Sequence, residues 1–215
     1  MAEKSVKISV RGFAEVSSAE PKRKQSALRK YQFPESEESV GRSNYYAKAL
    51  SGIRHHHRGE HGFVESLLQN LLDDAASEAD NLRRAKLLHN HRALTDYLEH
   101  FGNRVLTIKP GKQLCYPYKN LVVSARPDLV AEEGGKLLLI KLNLSNKDFK
   151  GGVNAMLLHV LYVASQLNGL EVATTGVECL QVSSGSAAKG PKSGFPPKKV
   201  LDNACQELLD LWAAA

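Results

Sequence analysis

Residues 121–143, LVVSARPDLVAEEGGKLLLIKLN, leave this chain few local choices. Two apolar runs flank an acidic and glycine-rich cluster, the pattern of a β-hairpin. Successive side chains of a strand point to opposite faces. Ser124, Arg126 and Asp128 therefore share a face of the first strand. Leu137, Leu139, Lys141 and Asn143 share one face of the second, and Leu138, Ile140, Leu142 and Leu144 share the other. With Glu132, Glu133, Gly134 and Gly135 as the turn, Val130 is expected opposite Leu137 and Asp128 opposite Leu139. Arg126 then faces Lys141, and Ser124 faces Asn143. Facing residues of an antiparallel pair point the same way, so Asp128, Lys141 and Asn143 are expected to converge on one patch.

The remaining chain supplies helices around this hairpin. Val6, Ile8 and Val10 alternate with polar residues and predict a short strand, followed over 17–44 by a polar stretch. That stretch has a basic cluster at Lys22, Arg23 and Lys24 and an acidic one at Glu35, Glu37 and Glu38. It predicts a loose arm with a short helix over 26–31. Apolar positions spaced for helices begin at Tyr45, Tyr46, Ala49, Leu50 and Ile53 and continue over 62–75. A further helix is expected from Ser77, with Ser77 as its cap and Gly102 as its stop. Strands are expected over 104–108, 113–116 and 175–182. A buried helix follows Gly151-Gly152, and an amphipathic helix closes the chain. The segment 183–199, rich in Gly, Ser, Pro and Lys, reads as a flexible basic loop. The division expected is a polar N-terminal arm with a short strand over 1–43 and one α/β domain over 44–215. Its core is a mixed, mainly antiparallel central sheet flanked by helices.

The Pro127-Asp128 pair, the hairpin and the following strand resemble the PD-(D/E)xK nuclease-like superfamily. The order of elements over 60–183 is similar: a helix, three strands, a buried helix and a fourth strand. The resemblance implies a restriction-endonuclease-like core, a nucleic-acid partner (DNA), and two carboxylates holding Mg²⁺ beside a lysine. Pro127-Asp128 matches the first half of the motif. In the second half Lys141 stands where the family has an acid, and Asn143 where it has the lysine. An ammonium beside a carboxylate competes with a metal: two unit charges about 4 Å apart interact by roughly 4 kcal/mol at an effective dielectric near 20. The resemblance therefore implies a nucleic-acid-binding or processing protein with a degenerate metal site. Its alternative is an active Mg²⁺-dependent deoxyribonuclease with relocated residues. In the active case Asp128 and Glu65, with Glu60 second, hold the metal and Lys141 contacts the scissile phosphate. In the inactive case Lys141 takes the cation's place. Tyr162 and His159 stand near the helix positions where related nucleases carry Tyr and Gln.

A second motif competes. His57, Glu60 and His61 form H-x-x-E-H, the inverted zinc-peptidase signature, with Glu132 or Glu133 as candidate third ligand. Gly59 inside the motif and the lack of apolar residues beside it argue instead for an exposed His/Arg cluster. Arg54, Arg58, Arg83, Arg84, Lys86 and Arg92, with Lys189, Lys192, Lys198 and Lys199, can line a groove for a phosphate backbone. The net charge of +6 fits an anionic partner. Cys115, Cys179 and Cys205 are too few and too scattered for a disulfide framework. No leader-like run is visible, so a cytoplasmic protein without membrane contact is expected. P-loop, dinucleotide fingerprint and nucleophile elbow are all missing from the sequence.

Overall fold

The computed structural model describes residues 5–32 and 45–214. The hairpin forms as β5 (Leu129–Glu133) and β6 (Lys136–Asn143). Its turn is only Gly134-Gly135, at φ of 55° and 75°, the left-handed pair that a two-residue turn matching strand twist requires. Val130 consequently pairs with Leu139, and Glu132 and Glu133 stay in the ladder opposite Leu137 and Lys136. The register is two residues from the one expected. An even slip leaves every side chain on its original face, whereas a one-residue slip would have turned them all over.

Five strands make the larger sheet, adding β2 (Thr107–Lys109), β7 (Val177–Gln181) and β8 (Ser186–Lys189) in the order β2-β5-β6-β7-β8. Only the β6–β7 pair is parallel; the other pairs are antiparallel. A parallel neighbour needs a crossover, and α6 (Gly151–Leu167) provides it. A second sheet holds β1 (Val6–Ser9), β4 (Leu121–Ser124) and β3 (Cys115–Tyr118) in the order β1-β4-β3. The class is α/β with mixed, mainly antiparallel pairing, as expected, but the strands divide between two sheets.

The division falls at Ala125-Arg126-Pro127. Proline has no N–H to continue a ladder, so the expected single strand becomes β4 and β5 in different sheets. This corrects the two outer pairings: Arg126 lies in neither strand, and Ser124 lies opposite Cys115 and Ser9, not Asn143. The segment 183–199 also differs, since β8 adds an edge strand where a loop is expected.

The helices form two layers. On the face of the large sheet bearing Val130, Leu139, Val177 and Cys179 lie α1 (Val10–Ser17), α6 and α7 (Lys198–Ala213), with the small sheet. The opposite face, with Leu129, Ala131, Leu138, Ile140 and Leu142, packs against α3 (Ala47–His56), α4 (His61–Ser77) and α5 (Asn81–Phe101). The α5 cap is Asp80, whose carboxylate accepts from Arg83 N at 2.8 Å. Ser77 instead donates to Asp73 O within α4. Among the described residues no helix is long and apolar enough to cross a membrane.

The expected arm differs as well. Its described part forms β1, α1 and α2 (Pro21–Gln32), and Phe13 and Leu28 are wholly buried with Leu121 and Val123. Residues 33–43 of that stretch lie outside the described residues. Leu28 is the one buried residue of α2, with Ala27 and Tyr31 partly buried beside it, too little for a periodic signal in a helix otherwise polar. Lys24 grips Glu207 of α7 at 2.6 Å. Leu28→Ala is expected to destabilise the whole protein by about 2–5 kcal/mol in urea unfolding, as for a core leucine; an unchanged midpoint would mean that α2 is dispensable.

Candidate functional site around Asp128

Asp128 stands at the entry to β5, just past the break at Pro127, with Lys141 opposite it on β6. The Lys141 ammonium lies 2.9 Å from Asp128 Oδ1. Leu142 N donates to Oδ2 at 2.8 Å. Both carboxylate oxygens are therefore engaged, one by a charge and one by a backbone donor. Asp128 is held from behind as well, since Arg54 of α3 donates to its carbonyl oxygen at 2.9 Å. Lys141 also donates to Arg126 O at 3.3 Å. Each side chain of the pair is about one-fifth exposed, which keeps the ammonium in reach of solvent.

Asn143 continues the same face but takes a different part. It is buried, and its Nδ2 donates to Lys147 O and to Gln181 Oε1, each at 2.7 Å. Its Oδ1 accepts from Ser145 Oγ at 2.7 Å. Gln181, the neighbour of Asn143 on β7, receives Phe149 N at 3.0 Å and donates to Asn154 of α6 at 2.9 Å. Two strand-end amides thus pin the loop 145–149 that leads into α6. Asn143 is a loop anchor, with no free donor pointing at Asp128.

Cys179 sits beside Lys141 across the parallel pair. Burial, reinforced by the Asp128 carboxylate, pushes its thiol up to about 12, so it stays protonated and inert.

Glu65 does not join this group. It is exposed on α4, and α4 covers the opposite face of the sheet through Val64. A Mg²⁺ ion needs several oxygens in near-octahedral array. With Asp128 saturated and Glu65 in the other layer, the side chains present do not fit the two-carboxylate centre. The helix positions expected to face the site do not do so either. Tyr162 and His159 both stack on Phe195, at 5.0 and 5.3 Å between ring centroids. The residue of α6 that reaches the strand ends is Asn154, near its start.

The zinc motif is split. α3 ends at His56 and α4 starts at His61, with Gly59 at φ 80° between them, so His57 and His61 belong to no common helix. Glu60 bonds His55 Nδ1 at 2.7 Å, and His57 Nε2 meets Tyr97 OH at 2.8 Å. Glu132 pairs with Lys109 at 2.9 Å. Among the described residues no group of three His, Cys, Asp or Glu side chains is arranged to hold a metal ion.

Sequence reasoning missed a charged network near the start of β7. Arg104 binds Glu133 through two N–H groups at 2.9 and 2.7 Å and Glu178 at 2.8 Å. Lys189 of β8 reaches the other Glu178 oxygen at 2.9 Å. The Glu178 side chain is only 2% exposed, and a glutamate within the apolar strand VECLQ was the available signal. The Arg104 hydrogen bonds hold Glu133 below the usual carboxylate range. His57, beside this network, is lowered to about 4 by burial first and then by His56 and Arg104.

No protein-family model matches the chain, and neither a curated protein nor a solved structure matches it.

Removing Arg104 strands a buried carboxylate, and breaking such a pair costs about 3–5 kcal/mol. Because Lys189 still touches Glu178, Arg104→Ala is expected at the lower end of that range in urea unfolding. His57 refuses a proton in the fold that the unfolded chain accepts below about pH 6.5. Stability should therefore fall as pH drops from 6.5 toward 4, and the fall should be shallower in His57→Gln.

Proposed function

We propose that this protein binds nucleic acid, DNA in the first instance, through the Asp128 end of its larger sheet. On this reading the fold is PD-(D/E)xK nuclease-like and the lysine ammonium stands in for the metal. The observation that carries the reading is the Lys141–Asp128 contact at 2.9 Å with Leu142 N on the second oxygen. It sets a fixed positive group at the place where the resemblance puts a divalent cation, and a phosphate oxygen is the natural partner of that group.

Support also comes from the element order. Helix α5 precedes β2, β5 and β6, an antiparallel run; the buried α6 follows, and then β7 parallel to β6. This is the succession of helix, three strands, buried helix and fourth strand that the resemblance names, with β3 and β4 diverted into the small sheet. Arg126, Lys147 and Lys150, all exposed, lie in the segments that lead into and out of this strand end. Such contacts position a phosphate backbone without reading its sequence.

Lys141 contributes charge and one hydrogen-bond direction, and no proton-accepting group stands beside it to activate water, since Asp128 is already engaged. Binding without cleavage follows. With about four phosphate contacts, affinity for DNA should drop on the order of a hundredfold between 50 and 200 mM salt. Electrophoretic mobility shifts or fluorescence anisotropy would measure it. Lys141→Gln should weaken binding and shallow the salt slope by about one contact. Asp128→Asn, which removes the opposing charge, should tighten it. Weaker binding in Asp128→Asn, or Mg²⁺- or Mn²⁺-dependent cutting of plasmid DNA that Asp128→Ala abolishes, would instead indicate a working metal centre. Failure to bind DNA or RNA even at low salt would end the proposal.

A further inference from the structure

The loop pinned by Asn143 and Gln181 forms one side of an open cleft of about 470 Å³. Its volume lies within the range of small-ligand sites, which begin at ~300 Å³. The other sides come from Arg11 and Glu15 of α1, from Tyr46 at the start of α3, and from His89 of α5. The cleft therefore lies past the carboxyl end of β6, beside the loop that leads into α6.

Two flat platforms line it. On one side the Arg11 guanidinium lies over the Phe149 ring, 4.9 Å from its centroid. Arg11 is fixed there by Glu15 at 2.8 Å, and the second Glu15 oxygen takes the Tyr31 hydroxyl at 2.6 Å. On the other side Tyr46 packs edge-on against Tyr45 at 5.0 Å, and Tyr45 OH bonds His89 Nδ1 at 2.7 Å. Every ring is held by a neighbour before any ligand arrives, which lowers the ordering cost of binding.

Charge decides what fits between them. Arg11 is neutralised by Glu15 at 2.8 Å, and the formal charges of the lining as a whole cancel, so the cleft itself carries no net charge. Aromatic rings and a guanidinium plane suit a flat, neutral heterocycle whose edge can reach the polar groups of Ser145, Asn146 and Asp148. The exposed Arg126 and the partly solvated Lys141, the latter already paired with Asp128, lie outside this lining. A base in the cleft with its phosphate toward Lys141 uses both features, and an opening to solvent lets a strand continue on either side.

We infer that this cleft receives a nucleobase unstacked from a single strand. The protein accordingly prefers single-stranded nucleic acid to duplex. The inference rests on the nucleic-acid reading above and adds the form of the ligand to it. A base paired within a duplex keeps its faces stacked on its neighbours and cannot enter without paying for its extrusion.

The test uses the full chain and an oligonucleotide carrying 2-aminopurine, single-stranded and as a duplex with its complement. Anisotropy reports affinity, and 2-aminopurine emission reports stacking of that base. The single strand is expected to bind about tenfold more tightly than the duplex, with a change in emission. Tyr46→Ala and, independently, the more exposed Arg11→Ala should each remove about tenfold of single-strand affinity and most of the emission change. Duplex affinity should stay within about twofold, which also shows that the variants are folded. Equal binding of both forms, or a single-strand preference that survives both substitutions, overturns the inference and leaves the binding function standing. Absence of binding to either form removes the function and the inference together.

Discussion

Strand β6 lies between two apolar layers, and that burial governs the rest of the molecule. Leu138, Ile140 and Leu142 lie under α3, α4 and α5, while Leu139 faces α1, α6 and the small sheet. A strand covered on both faces has no water to solvate a charge, so a polar group on it must find a partner within the fold or near its ends. Lys141 and Asn143 sit in the last three residues of β6 and meet that demand differently. The lysine is satisfied by a carboxylate from the adjacent strand and keeps partial contact with solvent. The asparagine is wholly buried and spends its hydrogen bonds on the loop 145–149 and on Gln181.

The same rule accounts for the second charged group. Glu178 on β7 is buried beside Ile140, and four donors from Arg104 and Lys189 converge on it and on Glu133. The two faces of the sheet thus differ. On the face under α3, α4 and α5 every carboxylate oxygen of the network is engaged, with a neutral His57 beside it. On the other the Asp128–Lys141 pair is smaller, each side chain about one-fifth exposed. A network engaged on every oxygen stabilises the fold; the Lys141 ammonium, though paired with Asp128, keeps partial contact with solvent.

Much of the hairpin was legible because its information is local. Alternation along 137–144 assigns each side chain to a face whatever the partner strand, so the meeting of Asp128 and Lys141 survived a turn expected two residues too long. The helix stripes over 62–75 and at Tyr45 to Ile53 were similarly plain. The role of Asn143 was not legible: a buried amide and a solvated one look alike in a sequence until the covering loop is placed. Glu65 failed for a related reason. Its position in an apolar helix start says that the helix packs on the sheet, but not which side of the sheet it covers.

The sequence by itself determined the local pieces: the strands of the hairpin and the face that each residue occupies. Those follow from backbone stereochemistry within a few residues. Only the tertiary structure decided that β4 leaves for a second sheet, that α1 and α2 close the core, and that Arg104 neutralises Glu178 from 74 positions away. It also decided that Asn143 holds a loop rather than a ligand. These outcomes depend on which apolar faces find each other across the whole chain, a competition among remote contacts that no short window of residues encodes.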